Sequence, residues 1–141
     1  MESESGARGP TVIPFLRYDD AAAAIAWLGE AFGFEPQLVV PDGDGGIAHA
    51  QLRHGTGMIM LGSAREDPLE MKSPRRLGGV NQGIYVALDD VDAHYRHARD
   101  AGAEIVLDLQ DTDYGSREYC VRDPEGNLWS FGSYRPGSET R

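Results

Sequence analysis

The chain carries one pattern of turn-forming and apolar residues twice, about 70 positions apart, and that repeat restricts its fold more than any other feature. Asp19-Asp20 precedes a helical run at 21–32, and Asp89-Asp90 precedes another at 91–101. Ala21, Ile25 and Leu28 correspond to Val91, Tyr95 and Ala98 at an offset of 70. Gly33, Glu35 and Gly57 correspond to Gly102, Glu104 and Gly126 at an offset of 69. Ile59-Met60-Leu61 then lies over Trp129-Ser130-Phe131, back at 70. Such a period is too long for a solenoid unit, and two copies point to duplication of a supersecondary module.

Each copy reads strand, helix, three strands. In the first, residues 11–18 form a strand, and Pro14 places them at a sheet edge or a strand start. Asp20 caps the helix, apolar residues recur on one helical face, and Gly33 closes it. Residues 35–40, 47–53 and 58–61 read as strands, with a loop at 41–46 and a hairpin turn at 54–57. His49, Gln51 and Arg53 alternate against Ala48, Ala50 and Leu52, the pattern of a half-buried strand. The second copy runs through strand 83–88, helix 91–101, strand 104–109 and loop 110–116. It ends in two strands joined by Asp123-Pro124-Glu125-Gly126-Asn127. In that turn Pro124 presets φ, while Gly126 and Asn127 tolerate positive φ.

The fold class is therefore α+β. Two βαβββ modules, 11–62 and 83–134, form a curved mixed sheet that encloses a cleft, the natural ligand site of such an arrangement. Residues 63–82, with a helical turn around 69–71, connect them, either as a lid or as a plain linker. Residues 1–10 read as a disordered leader and 135–141 as a tail.

The 141 residues carry 13 Lys and Arg against 23 Asp and Glu, a net charge of −10. That balance argues against nucleic acid and anionic membrane, and it favours a cationic ligand weakly. The single cysteine, Cys120, excludes a disulfide framework and reads as a small buried apolar residue. The chain has no signal-like N-terminus and no spanning apolar run, so a cytoplasmic location is expected. His94 and His97 fall on the side of the second helix away from its core stripe.

The repeated strand–Asp-Asp–helix–Gly unit and the Asp123-Pro124-Glu125-Gly126-Asn127 hairpin resemble the vicinal oxygen chelate superfamily, in its glyoxalase and bleomycin-resistance branch. The segment Ile13-Pro14-Phe15-Leu16-Arg17-Tyr18-Asp19-Asp20 is similar to the same branch. The resemblance covers about residues 11 to 134, and it implies a dimer. Metal-using members place His, Gln or Glu at four equivalent strand positions. Carried onto this sequence, those positions are Ile13, Met60, Gly83 and Ser130. None is a good ligand for a hard divalent metal, so no metal and no cofactor are expected.

If Ser130 faces the cleft, strand alternation turns Trp129 to the helix-covered face. The same alternation turns Met58 and Met60 toward the cleft. The residues expected to line it are Ile13, His49, Gln51, Met58, Met60, Gly83, Tyr114, Arg117 and Ser130. Tyr114 would stack on a ligand and Arg117 would pair with an anion. The leading expectation is a metal-free protein of the bleomycin-resistance type that sequesters a small organic molecule, cationic or aromatic. The alternative is a glyoxalase-type lyase or isomerase with an atypical site, in which His49 is ligand or base. A third reading is a non-catalytic subunit.

Overall fold

The computed structural model describes residues 9–137. The expected leader at 1–10 and the tail at 135–141 thus fall largely outside the described residues. The chain divides at Ser73/Pro74 into two compact units.

The first unit contains β1 (Phe15–Tyr18), α1 (Ala21–Trp27), β2 (Glu35–Pro41), β3 (Ile47–His54) and β4 (Gly57–Ser63). The second contains the short helix α2 (Pro74–Leu77), β5 (Gly83–Ala87), α3 (Val91–Asp100), β6 (Glu104–Asp111), β7 (Arg117–Arg122) and β8 (Leu128–Gly132). Each unit builds a four-stranded mixed sheet, in the order β1-β4-β3-β2 or β5-β8-β7-β6. The repeat extends to the register of the parallel pair. Phe15, Leu16 and Arg17 lie beside Met60, Leu61 and Gly62, and Tyr85, Val86 and Ala87 lie beside Ser130, Phe131 and Gly132. Every one of these pairs obeys the offset of 70.

Local chemistry explains the match. The Ala23 N–H donates to the Asp20 carboxylate at 3.1 Å, and the Ala93 N–H donates to Asp90 at 3.0 Å. The two caps share their backbone, with φ near −122° and −121°. Gly33 and Gly102 close the helices at φ 88° and 92°, a conformation that costs a residue with a Cβ. Each sheet turns one face to its helix. In the first unit Leu16, Ala50, Leu52, Ile59 and Leu61 are buried there, and in the second Tyr119, Val121, Trp129 and Phe131 are. Trp129 thus occupies the helix-covered face, as strand alternation predicts.

The Asp123 side chain organises the 123–127 turn, and Arg122 Nη1 adds a hydrogen bond to the Gly126 carbonyl at 3.3 Å. Asp123 Oδ1 accepts the N–H groups of Glu125 and Asn127, at 3.0 and 3.1 Å. Its Oδ2 accepts the Trp129 indole N–H at 3.1 Å.

Several expectations are corrected. β1 begins at Phe15, because Pro14 has no N–H to donate, although the Pro14 carbonyl still accepts from Met60 N at 2.9 Å. After Trp27 the first helix widens into one π-helical turn over Leu28–Phe32. The connector's helical turn lies at Pro74–Leu77 and not at 69–71. Pro74 at its first position and Gly78, at φ 79°, just past its end are the sequence signals for it. Residues 67–70 instead form a turn organised by Asp67, which accepts the Leu69 N–H on Oδ1 and the Glu70 N–H on its carbonyl. Asn127 does not take positive φ, and Gly57 is not the structural counterpart of Gly126. The positive-φ glycine of the first hairpin is Gly55.

His94 faces the core. Its Nδ1 lies 2.7 Å from the Tyr119 hydroxyl, and its ring packs against Phe131 at a tilt of 36°, centroids 4.3 Å apart. Among the described residues no helix is long and apolar enough to cross a membrane.

Candidate functional site

The open face of the first sheet carries Phe15, Arg17, Met58, Met60, His49 and Gln51, since residues paired across strands share a face. On it lies a pocket of about 250 Å³ with a mostly apolar wall. Phe15, Met60 and Leu69 supply apolar surface, and Arg17, His49 and Arg65 supply polar groups. β1 positions Phe15 and Arg17, β3 positions His49, and β4 positions Met60. Arg65 and Leu69 come from the segment after β4, so part of the connector is a wall of the pocket.

The His49 ring is fixed by Gln51, whose side-chain nitrogen lies 3.0 Å from His49 Nε2. Arg17 is nearly buried, with 7% of its side chain exposed, and reaches Asp67 Oδ2 at 3.2 Å. Arg65 contacts the same oxygen at 3.5 Å. Two guanidinium groups therefore share one carboxylate.

The open face of the second sheet carries Gly83, Tyr85, Glu118, Cys120 and Ser130. Tyr85 crosses it, donating its hydroxyl to the Tyr134 carbonyl at 2.6 Å. A Cβ at Gly132 would meet Tyr85 Oη and Glu118 Cγ, each at 2.6 Å, so only glycine admits that crossing. Burial pushes the Tyr85 phenol above its ordinary pKa. Tyr114 is exposed and donates to both carboxylate oxygens of Glu118, at 3.0 and 2.9 Å. The hydrogen bond to Glu118 holds its proton more firmly than usual.

A second, more polar pocket of about 510 Å³ lies beside α2 and the 123–127 turn, with Arg75, Glu104 and Arg122 in its wall. The sequence did not single these residues out.

The predicted lining residues divide between the units. His49 and Met60 come together in the first pocket. Gln51 stands behind His49, and Met58 shares the open face outside the pocket wall. Ile13 precedes β1 and does not line the pocket. Phe15, the residue level with Met60, takes that place. It was legible as the counterpart of Tyr85 at the offset of 70.

In the second unit Ser130 and Gly83 share the open face, but Arg117 does not. It shares strand parity with buried Tyr119 and Val121, and its guanidinium binds Asp92 of α3 at 2.8 Å and Asp111 at 3.0 Å. Hydrogen bonds to both carboxylates raise its pKa. The anion-pairing role expected of Arg117 is therefore already filled from within the unit.

Ile13, Met60, Gly83 and Ser130 offer no set of donors suited to a divalent metal. Among the described residues no group of three or more His, Cys, Asp or Glu side chains could hold one. The described residues at these positions do not fit the metal that some members of the resembled superfamily carry.

The family model described as the Glyoxalase/Bleomycin resistance protein/Dioxygenase superfamily matches residues 11–131. An uncharacterized protein of Mycobacterium bovis is 38% identical over 125 residues, spanning 87% of this chain and 82% of its own. Among solved structures, TioX from Micromonospora sp. ML1 is 37% identical with a TM-score of 0.74, covering 90% of this chain and all of its own. A lactoylglutathione lyase from Agrobacterium tumefaciens is 25% identical with a TM-score of 0.60, covering 89% of this chain and 95% of its own.

Proposed function

Because the chain belongs to the Glyoxalase/Bleomycin resistance protein/Dioxygenase superfamily, we propose that it binds a small organic molecule by the metal-free, sequestering mode of the bleomycin-resistance branch. The observation that carries this reading is the pocket on the open face of the first sheet, where Phe15, Met60 and Leu69 offer an apolar wall beside a few convergent polar groups. That is the composition of ligand sites in general. Its volume of about 250 Å³ suits one or two rings, below the roughly 300–1,000 Å³ of sites for drug-sized ligands. The ligand would be recognised by shape and apolar contact, and no bond would be made or broken.

A thermal-shift screen of aromatic and apolar natural products tests the reading. A ligand at a hundredfold over its Kd adds about 2.7 kcal/mol, a rise in Tm of roughly 8 °C for a domain of this size. Phe15 is half exposed, so Phe15→Ala leaves the fold intact and should abolish the shift. A shift that survives Phe15→Ala would place binding elsewhere.

The pairing of His49 with Gln51 favours a second reading, a lyase or isomerase in which His49 is a general base. Its ring is held at the pocket wall by a hydrogen bond, as a base that must meet one substrate proton requires. Turnover abolished by His49→Ala, with ligand-induced stabilisation retained, would favour this reading over sequestration.

A further inference from the structure

We propose that the ligand of the first unit's pocket is an organic anion, an apolar or aromatic body bearing a carboxylate-like group that docks on Arg17 and Arg65. The inference rests on the binding reading above and adds the ligand's charge. Two arginines, Arg17 and Arg65, are among the residues that line the pocket, and the described residues supply one carboxylate, Asp67, which both of them share. Glu66 and Glu70 belong to the same segment but are exposed and do not line the pocket. A guanidinium withdrawn from water is costly unless it is paired, and Arg17 is withdrawn.

The donor count points the same way. A guanidinium offers five N–H groups. Arg17 gives one to the Ser63 carbonyl at 3.4 Å and one to Asp67 at 3.2 Å. Arg65 Nη1 donates to the carbonyls of Ala48 and Ser63, both at 3.3 Å, and its Nε faces Asp67. Arg17 Nε and Arg65 Nη2 have no protein partner among the described residues, and both stay open to solvent, so an incoming ligand can reach them. Asp67 cannot turn to serve them, because its Oδ1 and its carbonyl are taken by its own turn. A ligand carboxylate completes both the charge and the hydrogen bonds.

The net charge of −10 suggests the opposite ligand. Charges spread over the surface are screened beyond about 8–10 Å in physiological salt, whereas these two guanidinium groups act at contact. Charge at the wall decides over charge at a distance.

The test compares three probes of one shape by isothermal titration calorimetry: 2-naphthoate, its methyl ester and 2-naphthylmethylammonium. Charge-assisted hydrogen bonds predict that 2-naphthoate binds at least about tenfold more tightly than either of the others. Arg65→Gln should remove most of that preference. Arg65 is half exposed, so its variant folds even if Arg17→Gln does not. Equal affinities for the three probes, or tightest binding of the ammonium, would overturn the anionic inference and leave the binding reading standing. Absence of heat from all three at millimolar concentration would overturn both.

Discussion

Replacing Asp123 by Ala should unfold the second unit's terminal hairpin before anything else. The carboxylate is 3% exposed, and the hydrogen bonds it accepts include those from Glu125 N, Asn127 N and Trp129 Nε1. The Trp129 side chain is fully buried, so its indole N–H finds no water when the acceptor goes. Hydrogen bonds to a charged group are worth about 1.5–3 kcal/mol each, and a buried donor left unpaired costs its desolvation as well. Three such bonds sharing one acceptor are not additive, and the expected loss is about 3–5 kcal/mol. Against a total stability of about 5–15 kcal/mol that is a large fraction.

Urea unfolding followed by tryptophan fluorescence reads it as a fall in midpoint. Asp123→Asn sharpens the test. The amide keeps an acceptor for the turn but presents N–H to N–H at Trp129. Its cost should therefore shrink by about 1–2 kcal/mol in a Trp129→Phe background. A loss below about 1 kcal/mol for Asp123→Ala, or no coupling in that cycle, would refute the claim that one carboxylate organises the hairpin.

Further outcomes follow from the same geometry. Asp20→Ala and Asp90→Ala should each cost about 1 kcal/mol in chemical denaturation and agree within a few tenths, because the two caps share backbone and acceptor geometry. Unequal losses would show that the repeat is not energetic. Burial, with a smaller contribution from nearby Tyr95, raises the Tyr119 phenol above its ordinary value of 10.0. The unfolded chain then ionises first, so stability present below pH 10 falls as the pH rises above it. Tyr119→Phe should flatten that fall between about pH 10 and 11, and an unchanged slope in urea titrations would contradict it.

Much of the fold could be read from residues whose role is local. Asp20 and Asp90 mark helix starts because a cap needs only its own N–H three residues on. Gly33 and Gly102 mark helix ends because positive φ excludes side chains. Trp129 was placed by strand parity alone. Parity would also have placed Arg117 with Tyr119 and Val121, on the helix side.

What was not legible depends on distant partners. His94 lies on the core side because Tyr119, 25 residues away, meets its Nδ1, and a ten-residue helix with few large apolar groups does not announce that face. Arg17 and Asp67 are 50 residues apart and join a strand to an irregular segment that has no period. The two arginines of the pocket wall were not legible either, because composition averages over the whole surface and a pocket wall is not an average.

The most direct test of the binding site is a titration followed through the methionine methyl groups. With 13C-methyl methionine the chain's four methionines give separate signals, and among the described residues Met60 is the one in the pocket wall. A saturable shift of Met60 on addition of 2-naphthoate, with Met71 unmoved, is the predicted result. A Met60 signal that stays fixed while the probe binds would contradict the placement of the site.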